Sequence, residues 1–87
     1  MDSLDKIKGE VAGCKKCGLY KTRKLPVAGE GCKDSDIIFV GEAPGANEDR
    51  TGVPFCGAAG EILDELLDKV SIKREDIYIT NILKCRP

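Results

Sequence analysis

A strand that runs directly into a glycine-bracketed turn constrains the fold of this 87-residue chain more than any other feature. The apolar run 37–40 is followed at once by the turn Gly41-Glu42-Ala43-Pro44-Gly45. An open parallel sheet binds its ligand just beyond the carboxyl ends of its strands, and glycines there let a ligand approach the backbone closely. The turn is therefore predicted to line a binding crevice at the end of a strand.

A helix and a second strand complete the predicted unit. Apolar residues spaced by one, three, one and three positions predict an amphipathic helix over about 58–70, and these residues are Ile62, Leu63, Leu66, Leu67 and Val70. The run 77–80 predicts a strand that ends at Asn81. A strand, a crossover helix and another strand imply a parallel pair with a right-handed connection.

The apolar patterns also predict how these elements pack. We expect the strand over 36–40 to be buried and the helix to dock on one face of the sheet. The helix would contribute Leu63, Leu66 and Leu67. The strands would contribute Ile38, Val40, Ile77 and Ile79.

The N-terminal third is predicted to be a short helix followed by a long loop. Ser3 is the predicted N-cap and Gly13 the predicted end of this helix. Residues 18–34 have few periodic apolar positions, which predicts a loop with a short strand near Val27. Because two parallel strands alone make a poor sheet, residues 1–87 are expected to be the N-terminal portion of one larger α/β domain.

Composition narrows the partners and the location. The 14 basic and 15 acidic residues nearly balance, so net charge singles out no partner. The first ten residues contain no apolar signal segment, and no apolar run approaches membrane-spanning length. A cytoplasmic location without a membrane partner is therefore predicted. In a reducing cytoplasm, the five cysteines favour metal binding or catalysis over disulfides.

The cysteine spacing predicts a metal site without naming the metal. Cys14 and Cys17 are separated by two residues, which lets two thiolates reach one metal centre, and Cys85 adds a third thiol beyond the second strand. The chain has no histidine, so zinc or an iron–sulfur cluster would be one ligand short. Cys32 is a candidate fourth ligand, and Cys56 is interpreted as a small apolar filler.

The residues around the predicted crevice suit a flat, polar ligand. Glu42 offers a carboxylate and Phe55 a stacking face. Asn81 ends the neighbouring strand and should face the same crevice, where its amide can both donate to and accept from the edge of a nucleobase. The glycine spacing matches neither a P-loop nor a dinucleotide-binding fingerprint.

Taken in order, these motifs resemble the family 4 uracil-DNA glycosylases, which are the iron–sulfur type. The resemblance runs from about Cys14 to Pro87 and rests on five stretches, which are Cys14–Leu19, Phe39–Gly45, Glu48–Phe55, Ala59–Asp64 and Tyr78–Pro87. It implies an α/β fold, a three-layer sandwich with a parallel central sheet. This chain would hold the N-terminal βαβ half of that sandwich and the helix that precedes it.

The resemblance also implies an activity and residue roles. The family flips uracil out of single- or double-stranded DNA and hydrolyses its N-glycosidic bond in base excision repair. Glu42 matches the residue that handles the attacking water. Phe55 matches the residue that stacks on uracil, and Asn81 the residue that reads its edge. The rest of the substrate-binding motif would be Gly41, Ala43, Pro44 and Gly45.

A 4Fe–4S cluster is the cofactor that the resemblance implies. Cys14, Cys17 and Cys85 match three of its four ligands, and the fourth is expected beyond Pro87. The family's catalytic histidine is expected there too, so this chain is expected to be incomplete for catalysis and to be a monomer. Thiols that bind zinc, or that bind no metal, are the alternatives to a cluster in this chain.

Two other functions fit the residues. One is a metal-stapled module that binds a nucleotide or a protein without catalysis. The other is a thiol redox protein that uses Cys14 and Cys17.

Overall fold

A small mixed sheet with helices on it makes up the part of the chain that the computed structural model describes, which is residues 3–87. The helices are α1 Leu4–Ala12, α2 Ala46–Thr51 and α3 Ala58–Lys69, with short 3-10 turns at Gly18–Lys21 and Arg74–Asp76. The strands are β1 Glu30–Gly31, β2 Ile38–Gly41 and β3 Tyr78–Asn81, in the spatial order β1-β3-β2. The predicted α/β fold class is confirmed.

The parallel pair predicted from the sequence forms between β2 and β3. Its register sets Phe39 beside Ile79 and Gly41 beside Asn81. The sheet is not purely parallel, however, because β1 pairs antiparallel with β3. The short strand expected near Val27 therefore lies three residues later, since the N–H of Val27 donates to the carbonyl of Lys84 at 2.7 Å outside the ladder.

Helix α3 matches its predicted bounds to within one residue, but only part of its predicted face is buried. Leu63 is 5% exposed and packs with Ile77 and Ile79, while Leu67 is partly buried against them. Leu66 is 55% exposed, so its predicted place in the core is wrong. The helix meets the sheet along a narrower stripe than its apolar spacing indicates.

The alternation of side chains along a strand explains why Ile38 and Val40 of β2 were assigned to the wrong face of the sheet. Successive side chains of a strand point to opposite faces, and residues opposite each other in the register share a face. Since Phe39 pairs with Ile79, Ile38 and Val40 lie on the face opposite to α3. They are 60% and 54% exposed, so the predicted burial of this strand is also wrong. β2 is moreover at the edge of the sheet.

Helix α1 has the caps that the sequence predicts. The hydroxyl of Ser3 accepts from the N–H of Lys6 at 3.1 Å, and Gly13 follows the last helical residue. The helix is joined to the loop before β2 by an ion pair of 2.5 Å between Asp5 and Lys33. None of the helices between Ser3 and Pro87 is long and apolar enough to cross a membrane.

Helix α2 was not predicted. It begins after Gly45, inside a segment whose apolar residues show no helical period, and it ends at Gly52, which is left-handed with a φ of 76°. Its buried Asp49 accepts from the N–H of Lys24 at 2.7 Å, and the Asp49 carbonyl accepts from the N–H of Leu25 at 3.1 Å. This short helix therefore holds the N-terminal loop at Lys24 and Leu25 against itself.

The burial of α3 yields a test of the core. Leu63→Ala should lower the free energy of unfolding by about 2–5 kcal/mol, because it removes a packed side chain and leaves a cavity. Leu66→Ala is the matched control and should change it by less than about 0.5 kcal/mol, since that side chain is largely in water. Urea unfolding followed by circular dichroism measures both. Equal losses for the two variants would contradict this packing.

Candidate functional site

Three of the predicted site residues meet at the carboxyl ends of β2 and β3. Gly41 and Asn81 are neighbours in the parallel register. A Cβ added to Gly41 would collide with Asn81 Oδ1 and with the tip of the Phe55 ring, and it would lie 2.8 Å from Phe55 Cε2. The missing side chain of Gly41 is what allows an aromatic ring and an amide to converge on one point.

The backbone of Phe55 is left-handed, with a φ of 51°. Such a conformation costs a residue other than glycine about 1–3 kcal/mol, and it persists where surrounding contacts hold it. The ring stands edge-on to the Phe39 ring at 83°, with the centroids 5.3 Å apart. Beneath the turn, a Cβ on Gly60 would overlap the Phe55 carbonyl, so α3 approaches the turn as closely as a glycine permits.

Asn81 is 2% exposed and is held by its neighbours on both sides. The parallel ladder continues past it, because the N–H of Ile82 donates to the Gly41 carbonyl at 2.9 Å. The Lys84 ammonium donates to the Asn81 carbonyl and, at 2.7 Å, to the Thr80 hydroxyl. Burial lowers the pKa of Lys84. Sequence reasoning missed this lysine, whose only signal was its place four residues after Thr80.

The glycine turn lies beside these residues. Pro44 is buried, Ala43 is partly buried, and Glu42 and Gly45 are exposed. The Glu42 carbonyl accepts from the N–H of Leu83 at 3.0 Å, which fixes its backbone at the end of the sheet. The role of the Glu42 carboxylate in handling water stays a prediction.

Glu48 links the glycine turn to the Phe55 turn. Its Oε1 accepts from the N–H of Gly45 at 2.9 Å. Its Oε2 accepts from the N–H groups of Cys56 and Gly57 at 2.9 and 3.2 Å, and from the Cys56 thiol at 3.4 Å. Sequence reasoning placed Glu48 in one of the five stretches that resemble the family but assigned it no role. Its position three residues after Gly45 is the spacing of a capping box, but nothing in the spacing indicates the contacts with Cys56 and Gly57.

The pKa of Glu48 reflects this network. Partial burial raises the pKa of its carboxyl. Hydrogen bonds from the backbone N–H groups of Cys56, of Glu48 itself and of Gly45, and from the Cys56 thiol, outweigh burial and hold the pKa below its ordinary value of 4.5. The carboxylate form is therefore the one that orders both turns.

The predicted metal ligands lie on two segments that Arg23 joins. All three thiols are free, with Cys85 buried, Cys14 partly buried and Cys17 exposed. Arg23 Nη1 donates to Cys85 Sγ at 2.9 Å, and its Nη2 donates to the Ala12 carbonyl at 3.3 Å. The guanidinium thus ties Cys85 to the end of α1, two residues before Cys14.

The donor chemistry fits a metal, although the ligands are not gathered. Three reduced thiols in two linked segments suit a thiolate-bound centre. Among residues 3–87, however, no three Cys, Asp or Glu side chains are placed to hold one ion. The ligand set Cys14, Cys17 and Cys85 stays a prediction.

The two remaining cysteines have other neighbours. The N–H of Cys32 donates to the Ile77 carbonyl at 3.0 Å, just beyond β1. Cys56 is exposed and its thiol lies 3.3 Å from the Thr51 hydroxyl and 3.4 Å from Glu48, so its interpretation as an apolar filler is wrong. A cysteine next to a carboxylate and a hydroxyl is a polar member of this turn.

Comparison with known proteins identifies the family. The profile of the Uracil DNA glycosylase superfamily matches residues 28–87, which include β2, β3 and the whole crevice. The chain belongs to the uracil-DNA glycosylase superfamily. Gly41, Phe55 and Asn81 therefore converge within the part of the chain that defines its membership.

Three relatives with about 50% identity to this chain are all named as type-4 uracil-DNA glycosylases. The chain is 54% identical over 87 residues to a type-4 uracil-DNA glycosylase from Archaeoglobus fulgidus, and 52% identical over 88 residues to one from Sulfurisphaera tokodaii. Each match covers 100% of this chain. A type-4 enzyme from Thermotoga maritima is 49% identical over 84 residues and covers 97% of it. The resemblance to family 4 is confirmed.

The matches cover the relatives less completely. This chain spans 44%, 40% and 44% of the length of the Archaeoglobus, Sulfurisphaera and Thermotoga proteins.

Acid should loosen the two turns that Glu48 joins. Because the folded pKa of Glu48 lies below 4.5, its carboxylate stabilises the fold above that pH, and this stabilisation is lost as the pH falls through the folded pKa. In NMR spectra, the amide protons of Gly45, Cys56 and Gly57 should shift together with a midpoint below pH 4.5.

The matched variants are Glu48→Gln and Glu65→Gln. Glu48→Gln should abolish the shared transition, since a side-chain amide does not ionise in this pH range. Glu65→Gln changes an exposed glutamate of α3 and should leave the transition in place. Independent midpoints for the three amides would contradict a common carboxylate.

Proposed function

We propose that this chain carries the uracil-recognising part of a uracil-DNA glycosylase that acts in base excision repair. The convergence of Gly41, Phe55 and Asn81 at one end of the sheet supports the proposal most directly. The relatives are named for the same activity. A flat, uncharged base with a polar edge is the ligand that a ring and an amide side by side suit best.

Recognition follows from the chemistry of the two side chains. A glycosylase cannot reach the glycosidic bond inside a duplex, so the nucleotide is flipped out of the base stack. Phe55 offers its ring as a stacking face for the flipped uracil. The Asn81 amide, which both donates and accepts, hydrogen-bonds the uracil edge, and its burial makes each unsatisfied contact costly.

Hydrolysis needs a positioned water and a stabilised leaving group. Glu42 orients a water, or accepts its proton, for attack at the sugar C1′. The C1′–N1 bond breaks, and its electron pair leaves with the base as a uracil anion. In the turn 41–45, Pro44 has no N–H and the Gly45 N–H binds Glu48, so the backbone N–H groups of Glu42 and Ala43 are the donors that this turn offers to the developing charge.

The three thiols have a structural role in this proposal. Cys14, Cys17 and Cys85 would hold an iron–sulfur cluster, which when bound joins distant segments of the chain through strong metal–sulfur bonds. Arg23 already holds the Cys85 segment to the end of α1. The exposed Lys15, Lys16 and Arg86 flank these cysteines and would contact DNA phosphates.

The preferred strand state of the DNA substrate and the cellular location of the protein follow from the same chemistry. Uracil in single-stranded or mismatched DNA should be excised more readily, since less stacking is broken to flip it. A DNA substrate and free thiols both suit a cytoplasmic location. The monomeric state stays a prediction.

The crevice predicts that this chain binds uracil but does not excise it from DNA. With no histidine to support the leaving group, the 87-residue chain should bind uracil weakly and release none from labelled oligonucleotides. Phe55→Ala should weaken binding by about 1–3 kcal/mol through lost stacking, whereas Phe55→Tyr keeps the ring and should bind nearly as well. Asn81→Ala should bind least, because it removes the contacts to the base edge.

Titration of ¹⁵N-labelled protein with uracil measures these affinities, and thymine and adenine serve as control ligands. Wild-type binding that Asn81→Ala and Phe55→Ala leave unchanged would refute the crevice. Strong turnover by the chain would refute its catalytic incompleteness. Binding without turnover in a histidine-containing full-length relative would favour a non-catalytic binding module.

Iron uptake tests the thiols separately. Anaerobic treatment with ferrous iron and sulfide should produce the broad visible absorbance of thiolate-bound iron, and Cys85→Ser should lose most of it. Cys32→Ser is the matched control and should retain it, because the N–H of Cys32 binds the Ile77 carbonyl just before β3, whereas Arg23 binds Cys85. Retention in Cys85→Ser together with loss in Cys32→Ser would reverse the ligand assignment. A reversible Cys14–Cys17 disulfide without iron uptake would favour a redox protein.

A further inference from the structure

Arg74 joins three parts of the molecule through one guanidinium group. Its Nη1 donates to Asp64 Oδ1 of α3 at 3.1 Å. Its Nη2 donates to the carbonyl of Pro54, the residue before Phe55. The side chain of Arg74 is 25% exposed while that of Asp64 is 54% exposed, so the arginine lies further inside. Arg74 itself begins the 3-10 turn that leads into β3.

The Pro54 carbonyl belongs to the peptide unit that sets the orientation of Phe55. Phe55 is left-handed, and its backbone is held on both sides. Glu48 binds the two N–H groups that follow it, while Arg74 binds the carbonyl that precedes it. Removing either contact leaves an unfavourable conformation with less to maintain it.

A guanidinium group suits this position because its donors lie in a rigid plane. Two of its nitrogens can serve acceptors on different elements at fixed angles, which the single ammonium of a lysine cannot reproduce. Asp64 orients the group and neutralises it. The carbonyl of Pro54 therefore has a donor whose direction is fixed by α3 and by the turn before β3.

A purely structural role would need only one of these two bonds. The ion pair with Asp64 by itself ties the turn before β3 to α3. The second bond goes instead to the loop that carries the ring, whose tip lies against Gly41 beside Asn81. The second bond is the one that connects Arg74 to the crevice.

We propose that Arg74 is a positioning residue that sets the Phe55 ring beside Asn81, and so sets the plane in which a flat base stacks. Arg74 acts through the Pro54–Phe55 peptide and does not touch the base. The placement of the ring is a property of the free protein. The statement about the plane in which a base stacks rests on the proposed function.

The test compares Arg74→Gln with Lys73→Gln in the 87-residue chain. Lys73 is the exposed neighbour of Arg74 and the matched control. Arg74→Gln should weaken the nuclear Overhauser contact between the Phe39 and Phe55 rings and shift the Gly41 amide, with the β3 amides unchanged. Uracil binding should weaken about fivefold or more, the lower limit of what a base–aromatic stack contributes. Lys73→Gln should change neither.

A second variant decides the outcome if Arg74→Gln fails to fold. Arg74→Lys keeps the charge and the ion pair with Asp64 but loses the planar pair of guanidinium nitrogens. The Phe55 ring should therefore move while the protein stays folded. A wild-type ring contact and wild-type uracil binding in Arg74→Lys would overturn the proposal. A ring that moves in these variants, in a protein that never binds uracil, would support the positioning role and refute the proposed function instead.

Discussion

The parallel register of β2 and β3 is the constraint on which the rest of the structure depends. It places Gly41 beside Asn81, and the ladder continues to the residues that follow each strand. The same register decides which side chains of β2 face α3, so it also settles the extent of the core. Ile79 and Asn81 lie on the same face of β3, so a shift by one residue would turn Asn81 away from the crevice and Ile79 away from α3.

The second organising feature is that polar groups, rather than apolar packing, hold the loops of the site. Glu48 spans the glycine turn and the Phe55 turn, and Arg23 spans the cysteine segments. These are charged side chains that bind backbone or sulfur atoms, contacts stronger than those between neutral groups. A small core supported by such links can carry a crevice that its few buried apolar residues could not shape alone.

Sequence reasoning succeeded where a period or a single rule determines structure. The spacing of Leu63 and its neighbours determined α3, and the strand–helix–strand order determined the parallel pair that joins Gly41 to Asn81. It failed where two weak signals compete. Whether Ile38 faces the helix depends on the register, which no local pattern states, and whether Leu66 is buried depends on the width of the sheet. The reach of Glu48 to the Phe55 turn and of Arg74 to Pro54 depends on tertiary geometry alone, so these contacts have no signature in the spacing.

The exposed apolar side chains of β2 and α3 have a thermodynamic consequence. Ile38, Val40 and Leu66 are each more than half in water in the folded chain, so unfolding brings little new apolar surface into contact with solvent at these positions. The heat capacity of unfolding arises mainly from such newly exposed surface. The stability of this chain should therefore form a broad, shallow curve against temperature, and its response to denaturant should be gradual for its length.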